Sequence, residues 1–304
     1  MRRKAVELME EAILAAYKRS SSRPLGNIEN EFVFSPVEGD IAVVDCVKDA
    51  LTAIACGIKN IVYSPSDLTY ESCLAFINGL KSGCDKKEIR ALLKLPIYCE
   101  TAALSAIERM IPLLSGVICN NYYGIYLADK YKVMCVADIN IMNDAVIWNK
   151  LSGFINSSEL KASELNDKGY LFAYGFLPLM YFKHCPNKVC GFNCNDCTGS
   201  IVYKDEKGYY YIKRYTIEGK FCLNVMYNGI ISDVGEFAYG KRRYFDFSVR
   251  TDESDRHKSK NSRYETKNIT ANTQKIKEVI TEYTNGKRHR KGQFTNNHLS
   301  RGIK

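Results

Sequence analysis

Features that often identify a protein's class are missing from this sequence. No apolar run reaches the roughly 18–20 residues that cross a bilayer, so a membrane-spanning helix is not expected. No GxGxxG follows the first predicted strand, which argues against a dinucleotide-binding Rossmann domain. The chain has four histidines, and none forms an H-E-x-x-H pair or a Ser/His/Asp grouping. The sequence therefore shows no protease catalytic group.

An export signal is missing as well. The N-terminus, MRRKAVELMEEAILAAYKR, has basic residues followed by apolar ones, but Glu7, Glu10 and Glu11 interrupt the apolar stretch. This pattern favours an amphipathic helix over a signal peptide. We therefore expect a cytoplasmic protein, in which disulfides are rare and clustered cysteines more often bind metal or do redox chemistry.

Short apolar runs alternate with helix-like segments over the first half of the chain, which predicts βα units around a parallel sheet. The pattern alone leaves a barrel and a doubly wound sheet open. Ser66 or Asp67 is the expected N-cap of the second helix of this series. The predicted strands are IAVVDC (41–46), NIVYS (60–64), LLKLPIYC (92–99), SGVICN (115–120), KVMCVA (132–137) and SGFINS (152–157).

The sequence changes character after residue 168. A β-rich, aromatic stretch follows, with a turn at 206–208, and it predicts an antiparallel excursion from the α/β body. Residues 251–272 are polar and predict a mobile loop before a last helix. Four regions are predicted: 1–36 (N-terminal helix and linker), 37–168 (βα-repeat barrel portion), 169–235 (β-rich cysteine region) and 236–304 (last strand, loop, helix and basic tail).

The positive charge is concentrated in the C-terminal region. Residues 241–304 contain 17 Lys/Arg and 7 Asp/Glu, whereas the first 240 residues contain 26 and 27. Such a region, with Tyr and Phe interspersed, suits a polyanion such as RNA. A solvated, solubilising tail is the alternative. The candidate phosphate contacts are Arg242, Arg243, Lys287, Arg288, Arg290 and Lys291.

Cysteines cluster in KHCPNKVCGFNCNDCTG (183–199), whereas seven others lie singly in strand or helix patterns and are expected to be small buried hydrophobes. Cys194 and Cys197 form a C-x-x-C, a spacing that lets two thiolates converge on one metal. Cys185 precedes them, and a hairpin would fold Cys222 back toward them. Such thiolates suit zinc or a 4Fe–4S cluster, and Cys190 is a fifth candidate. Thiols without metal and a disulfide are the alternatives.

Polar residues also follow predicted strands, where parallel α/β proteins collect substrate-binding groups. Asp138, Asn140 and Asn143 come after KVMCVA, and Glu159 comes after GFIN. We predict these four as substrate-pocket residues. Helix capping is the alternative role for each.

Several stretches together resemble the collagenase-like peptidase family U-32, in particular the C-terminal half of its long members. They include GVICNN, ADINIMN, SSEL, YGFLPLMYFKHCP, the C-x-x-C, the DEKG turn, Cys222 with YNG after it, and GQFTNNHLSRGI. The similarity is ordered over almost the whole chain. Three departures stand out: Phe176 replaces an Arg, Ser158 a Pro, and Asn296 to His298 an Arg-Gly-His.

The resemblance implies a TIM-like, incomplete α/β barrel with a β-rich, cysteine-bearing insertion. It assigns a 4Fe–4S cluster to Cys185, Cys194, Cys197 and Cys222, with Cys190 extra and zinc as the alternative. Similar proteins support hydroxylation of RNA bases, some with prephenate as a co-substrate, so RNA is an expected partner. Their N-terminal barrel half is missing here, which predicts a separately encoded subunit. The alternatives are a metal-dependent peptidase and a zinc-stabilised RNA-binding module without catalysis.

Overall fold

The structure is a computed structural model, and it describes residues 2–17, 34–84, 88–141, 148–189, 191, 193–194, 197, 199–204, 206, 209–249, 267–288 and 294–295. The chain divides into two compact units, Met1–Phe32 and Val33–Lys304. The first unit contains helix α1 (Arg2–Tyr17), as the N-terminal pattern predicts. None of the helices in the described ranges combines the length and apolar character that crossing a bilayer requires.

The second unit mixes strands and helices. Its described strands are β1 (Ile41–Val44), β2 (Asn60–Tyr63), β3 (Asp67–Leu68), β4 (Arg90–Lys94), β5 (Gly116–Cys119), β6 (Met134–Ala137), β7 (Gly153–Phe154), β8 (Leu171–Gly175), β9 (Pro178–Phe182), β10 (Ser200–Lys204), β11 (Tyr209–Ile217), β12 (Phe221–Tyr227), β13 (Ile231–Asp233), β14 (Arg243–Asp246) and β15 (Phe294–Thr295). Its described α-helices are α2 (Val47–Ala55), α3 (Tyr70–Gly83), α4 (Thr101–Met110), α5 (Tyr122–Tyr131), α6 (Pro186–Val189) and α7 (Lys267–Thr284). Short 3-10 turns cover Ile111–Leu113, Ala162–Glu164 and Gly235–Ala238.

The larger sheet has ten described strands and is strongly curled; it is called the curled sheet below. Eight of these strands run parallel, in the spatial order β8, β14, β1, β2, β4, β5, β6, β7. Strand β13 pairs with β8 in antiparallel, and β15 pairs with β13. A parallel bridge between Ile155 and Tyr170 joins the remaining ends. There the Tyr170 N–H donates to Phe154 O, and the Asn156 N–H donates to Tyr170 O, both at 2.8 Å. The carboxyl ends of the eight strands meet at one edge, the carboxyl edge.

Both faces of the curled sheet are buried, which explains why its strands are nearly continuous apolar runs. In β1, Ile41 and Val43 belong to one buried cluster and Ala42 and Val44 to another. The first cluster takes residues from all around the sheet and fills the inside of the curl. The second packs the outer face against α2 to α5 and α7. The predicted parallel sheet is therefore confirmed, and a strand lies within or across each of the six predicted segments. The segment predicted for 92–99 is wrong over 95–99, because β4 ends at Lys94.

A second, smaller sheet is inserted between β8 and β13, and it is called the inserted sheet below. Its antiparallel order is β10-β11-β12-β9, and β3 pairs with β11 in parallel. The predicted turn near Glu206 joins β10 to β11. The insertion is shorter than the predicted region 169–235, because β8 is buried along its whole length and belongs to the curled sheet.

Two helix starts differ from the predictions. The N-cap of α3 is Thr69, not Ser66 or Asp67, because Asp67 lies in β3 and pairs with Thr216 of β11. Helix α7 begins at Lys267, so the loop predicted for 251–272 is wrong over 267–272, and 251–266 lie outside the described residues. A tertiary contact lies within this span, since Asn272 Nδ2 donates to Asp49 of α2.

Replacing the cap of α3 should destabilise the protein measurably. The Ser72 N–H donates to Thr69 Oγ1 and the Thr69 N–H to Ser72 Oγ, both at 3.0 Å. Thr69→Ala should lower the free energy of unfolding by about 1 kcal/mol, because it removes the side-chain acceptor of the Ser72 N–H. Ser66→Ala is the control and should change it by less than about 0.5 kcal/mol. Urea denaturation of both variants measures the difference, and equal effects would contradict the capping role.

Candidate metal centre and polar site

The inserted sheet separates two groups of functional side chains. Alternate residues of a strand point to opposite faces, so Lys213 and Arg214 of β11 lie on different faces. Lys213 Nζ donates to Ser64 O at 3.2 Å and to Ser248 O at 2.8 Å, next to the ends of β2 and β14. The face of Lys213, called the inner face, therefore covers the carboxyl edge. The outer face carries Arg214 and, opposite Thr216 in the register, Cys222.

The outer face brings four of the predicted cysteines together. Cys222 lies on β12, and Asn224, the next β12 residue on that face, donates from Nδ2 to His184 O at 3.1 Å. This bond holds His184, and with it the neighbouring Cys185, close to Cys222. The Cys197 N–H donates to Cys194 O at 3.2 Å, which closes the turn of the C-x-x-C. We call Cys185, Cys194, Cys197 and Cys222 the cysteine cluster. Cys190 lies outside the described residues.

The thiols of the cysteine cluster influence one another electrostatically. Burial raises the pKa of Cys222, and the nearby charge of Arg214 lowers it. Cys185, Cys197 and Cys194 each raise the pKa of Cys222 further, since a second thiolate close by disfavours the first. A bound metal ion would relieve this repulsion, because it neutralises the thiolates that it binds.

The donor set fits an iron–sulfur cluster in its chemistry, since thiolates of Cys are the usual ligands of these clusters. Among the described residues, no three of these thiols all lie within 4.8 Å of one another. Thiolates around one zinc ion would stand roughly 3.8 Å apart, because each Zn–S bond is about 2.3 Å. Any three of these four thiols include at least one Sγ–Sγ distance greater than 4.8 Å.

A second polar group lies at the carboxyl edge, under the inner face. Lys94, the last residue of β4, reaches three acceptors. Its Nζ lies 3.0 Å from Tyr244 Oη, 3.1 Å from Asp246 Oδ2 and 3.3 Å from Asp138 Oδ2. Tyr244 and Asp246 come from β14, and Asp138 follows β6. We call these four residues the Lys94 group, which ties three strands of the curled sheet together across its edge.

The polar atoms of the Lys94 group are engaged by one another and by their neighbours. The ammonium donates to Tyr244 Oη and Asp246 Oδ2 and forms an ion pair with Asp138. The second oxygen of Asp246 accepts from Ser248 N at 3.0 Å and from Ser248 Oγ at 2.6 Å. The second oxygen of Asp138 accepts from Ile139 N at 2.8 Å. This arrangement is a buried structural network more than an open catalytic site, because each of its charged groups has internal partners.

The charges of the Lys94 group stabilise one another. Burial alone would lower the pKa of Lys94, but Asp138, Tyr244 and Asp246 outweigh it and hold that pKa well above the ordinary value. Burial would raise the pKa of Asp246, but Lys94 and the hydrogen bonds from Ser248 bring it below its ordinary value. Lys94 and Asp246 are therefore both charged at neutral pH.

Amides and tyrosines continue this network toward the inner face. Asn120 donates to Leu95 O at 2.9 Å, and Asn140 donates to Asn120 Oδ1 at 2.7 Å and to Tyr181 Oη at 3.2 Å. Burial, with Asp138 nearby, raises the pKa of Tyr181 to about 12. The inserted sheet is thus joined to the carboxyl edge by hydrogen bonds as well as by apolar packing.

The predicted pocket residues are placed differently from one another. Asp138 and Asn140 lie in the network at the carboxyl edge. Glu159 is exposed in the loop after β7, and Asn143 lies outside the described residues. Lys94 and Asp246 were not among the predicted site residues. Each is a charged residue within an apolar segment, LLKL and FDFS, and this pattern could have marked them as candidates.

The basic residues predicted to contact RNA are largely occupied by the fold. Arg242 precedes β14 and Arg243 is its first residue. Both lie at the amino end of that strand, whereas the Lys94 group lies at its carboxyl end. The Arg242 guanidinium lies 4.7 Å from the Tyr170 ring centroid, and Arg243 Nε donates to Asp40 Oδ2 at 2.8 Å. Arg243 is therefore already paired with a carboxylate.

The C-terminal basic residues divide in the same way. The side chain of Arg288 is only 2% exposed, and its Nε donates to Asp233 Oδ2 at 2.9 Å while Nη1 pairs with Glu282. Lys287 is exposed, and Arg290 and Lys291 lie outside the described residues. Lys287 is thus the described basic residue of this segment that faces solvent.

A further group of donors lies at the start of α2. Donor atoms of Asp45, Cys46 and Asp49 all lie within 4.8 Å of one another. Asp49 is fully buried and accepts hydrogen bonds from Asn272 and Thr273 of α7. This contact gives Asp49 a structural role, since it anchors α7 to α2.

Comparison of the chain with protein-family models, with curated proteins and with solved structures finds no match. The similarity to the U-32 family therefore stays a prediction based on the sequence motifs.

Removing the ammonium of the Lys94 group should reverse the pH dependence of stability on the acidic side. In the wild type the lowered pKa of Asp246 contributes stability that is present above its unfolded value of about 3.9 and is lost as pH falls through the folded value. In Lys94→Met, burial without the cation raises that pKa instead. The variant should lose about 3–5 kcal/mol at pH 7 and regain part of it as pH falls toward 5.

Chemical denaturation at pH 7 and pH 5 measures this effect. Lys130→Met is the matched control, because Lys130 pairs with Glu108 on the surface, and it should change stability by less than about 1 kcal/mol at either pH. A Lys94→Met protein as stable as the wild type at pH 7 would contradict the role given to Lys94.

Proposed function

We propose that this chain is a U-32-like iron–sulfur protein with a TIM-like barrel, and that it takes part in hydroxylation of an RNA base. The observation that carries the proposal is the cysteine cluster. Residues far apart in sequence are brought together there, since Cys185 lies close enough to Cys222 on the inserted sheet to raise the pKa of Cys222. Cys185, Cys194, Cys197 and Cys222 would hold a 4Fe–4S cluster. Such a cluster supplies one-electron transfer when bound.

The barrel assignment is supported by the order of the strands. Eight parallel strands follow one another around the curled sheet, and the Ile155–Tyr170 bridge links the last pair. A TIM-like barrel has the same order, and its functional groups collect at the carboxyl edge. The sheet is compatible with an incomplete barrel, because β13 pairs with β8 in antiparallel beside that bridge. A separately encoded subunit therefore stays part of the proposal.

The Lys94 group favours a role beside a partner subunit. In TIM-like barrels the substrate binds at the carboxyl edge. Here the inserted sheet covers that edge, and Lys94 is held by internal partners, since it donates to Tyr244 and Asp246 and forms an ion pair with Asp138. We therefore propose that the chain supplies the iron–sulfur centre, and that the hydroxylation site, with prephenate as its candidate co-substrate, is shared with the partner.

RNA binding is the second part of the proposal, and it rests on the C-terminal charge. Residues 241–304 carry 17 Lys/Arg against 7 Asp/Glu. Arg243 and Arg288 are left out of the contact set, because internal carboxylates already neutralise them. Lys287, Arg290 and Lys291 are the proposed phosphate contacts.

The first test is the metal content of protein purified without oxygen. The wild type should be brown and contain about four iron atoms per chain. Cys194→Ala and Cys222→Ala should lose most of the iron and the colour, because each removes one ligand. Cys56→Ala is the control, since Cys56 lies at the end of α2 outside the cysteine cluster, and it should keep both.

Two other results would overturn the iron–sulfur proposal. Stoichiometric zinc with no colour would make the cysteine cluster a structural zinc site and favour the zinc-stabilised RNA-binding module. Cleavage of gelatin that is lost in Cys185→Ala would favour the metal-dependent peptidase.

The second test is the salt dependence of RNA binding. Replacing Lys287, Arg290 and Lys291 by Gln should weaken binding to a short labelled single-stranded RNA of mixed sequence. The slope of log K against log salt should fall by up to about 2, since each lost phosphate contact removes roughly 0.7. Fluorescence anisotropy over a series of salt concentrations gives the slope.

The control for RNA binding changes the same charge elsewhere. Lys48, Lys81 and Lys277 are exposed on three different helices, and replacing all three by Gln should leave most of the slope unchanged. If both triple variants behave alike, binding depends on net charge alone, and the proposed contact set is wrong.

A further inference from the structure

Arg214 lies beside the cysteine cluster on the outer face of the inserted sheet. In the register of β11 and β12 it faces Asn224, two pairs along from Thr216 and Cys222. The Arg214 and Cys222 side chains are therefore diagonal neighbours on one face. The backbone N–H of Arg214 donates to Gly199 O at 2.7 Å. This bond holds Gly199, two residues after Cys197 and just before β10, next to Arg214. The guanidinium therefore lies close to two members of the cysteine cluster.

One of its donors is buried without a partner. Arg214 Nη2 donates to Asp67 Oδ1 at 2.8 Å, on the side of β3. Arg214 Nε is shielded from solvent and has no hydrogen-bond partner. Among the described residues, it is the one buried side-chain nitrogen or oxygen atom in this state. Buried donors in folded proteins almost always have an acceptor. An orphan donor next to a set of metal ligands indicates an acceptor that arrives with the metal.

The charge of Arg214 is consistent with this position. The side chain is about as buried as that of Lys94, with 20% of its surface exposed. Arg214 is also the cation that lowers the pKa of Cys222 against the effect of burial. Asp67 is 58% exposed, so solvent screens its opposing charge more strongly.

We propose that Arg214 Nε–H donates a hydrogen bond to a sulfur of the thiolate-bound cluster, and that Arg214 thereby raises the reduction potential of that cluster. This inference rests on the proposed function. Arg214 is a positioning residue here. Reduction adds one electron to the cluster and makes it more negative, and a buried cation with an N–H···S bond stabilises that added charge. In the test the electron comes from dithionite.

The experiment is a redox titration of anaerobically purified protein with dithionite and mediator dyes. Arg214→Gln removes the cation and the Nε donor, and its midpoint potential should be more negative than that of the wild type at equal iron content. Arg214→Lys keeps the charge without the guanidinium, and should shift in the same direction by a smaller amount. Asp67→Asn is the control, because it changes the exposed partner of Arg214 Nη2 and leaves the Nε donor in place. It should keep the wild-type potential.

The outcomes separate this inference from the proposed function. A wild type without iron overturns the proposed function and the inference with it. A wild type with iron, and Arg214→Gln with full iron at the same potential, overturns the inference alone. If Arg214→Gln fails to fold or to hold iron, Arg214→Lys decides, because an unshifted potential in that variant would show that the Nε donor has no effect.

Discussion

The two hydrogen bonds and the ion pair of the Lys94 ammonium hold the carboxyl edge of the curled sheet together. They join the ends of β4 and β14 to the residue after β6, so strands far apart around the curled sheet meet at one charged atom. The carboxylates of Asp138 and Asp246 would repel each other there without the cation. The inserted sheet rests on the same edge through Lys213 and Tyr181, so its orientation depends on this network.

The two faces of the inserted sheet separate the Lys94 group from the cysteine cluster. Along β11 and β12, alternate residues face the carboxyl edge and are large and apolar or join its network, whereas the residues between them carry Arg214 and Cys222. The pleat of a strand is enough to produce this separation. It places the cysteine cluster on the outer face of the inserted sheet and keeps it apart from the buried carboxylates of the Lys94 group.

Much of the fold could be predicted from the sequence, because runs such as IAVV and GVIC are apolar on both faces, as strands covered on both sides must be. The C-x-x-C likewise marked Cys194 and Cys197 by spacing alone. Lys94 and Asp246 could not be predicted, because their partners lie on strands more than a hundred residues apart in the chain. Thr69 was missed as a cap for a related reason, since β3 exists only through its pairing with β11.

The pairing of β1 with β14 has a consequence for synthesis of the chain. Ile41 pairs with Tyr244, so the outer edge of β1 has no strand beside it until the ribosome has released some two hundred further residues. At about 5–20 residues per second that interval is roughly 10–40 s. An open strand edge can pair with another chain. The inserted sheet precedes β14 and lengthens the interval, so this edge is the part of the nascent protein most in need of protection.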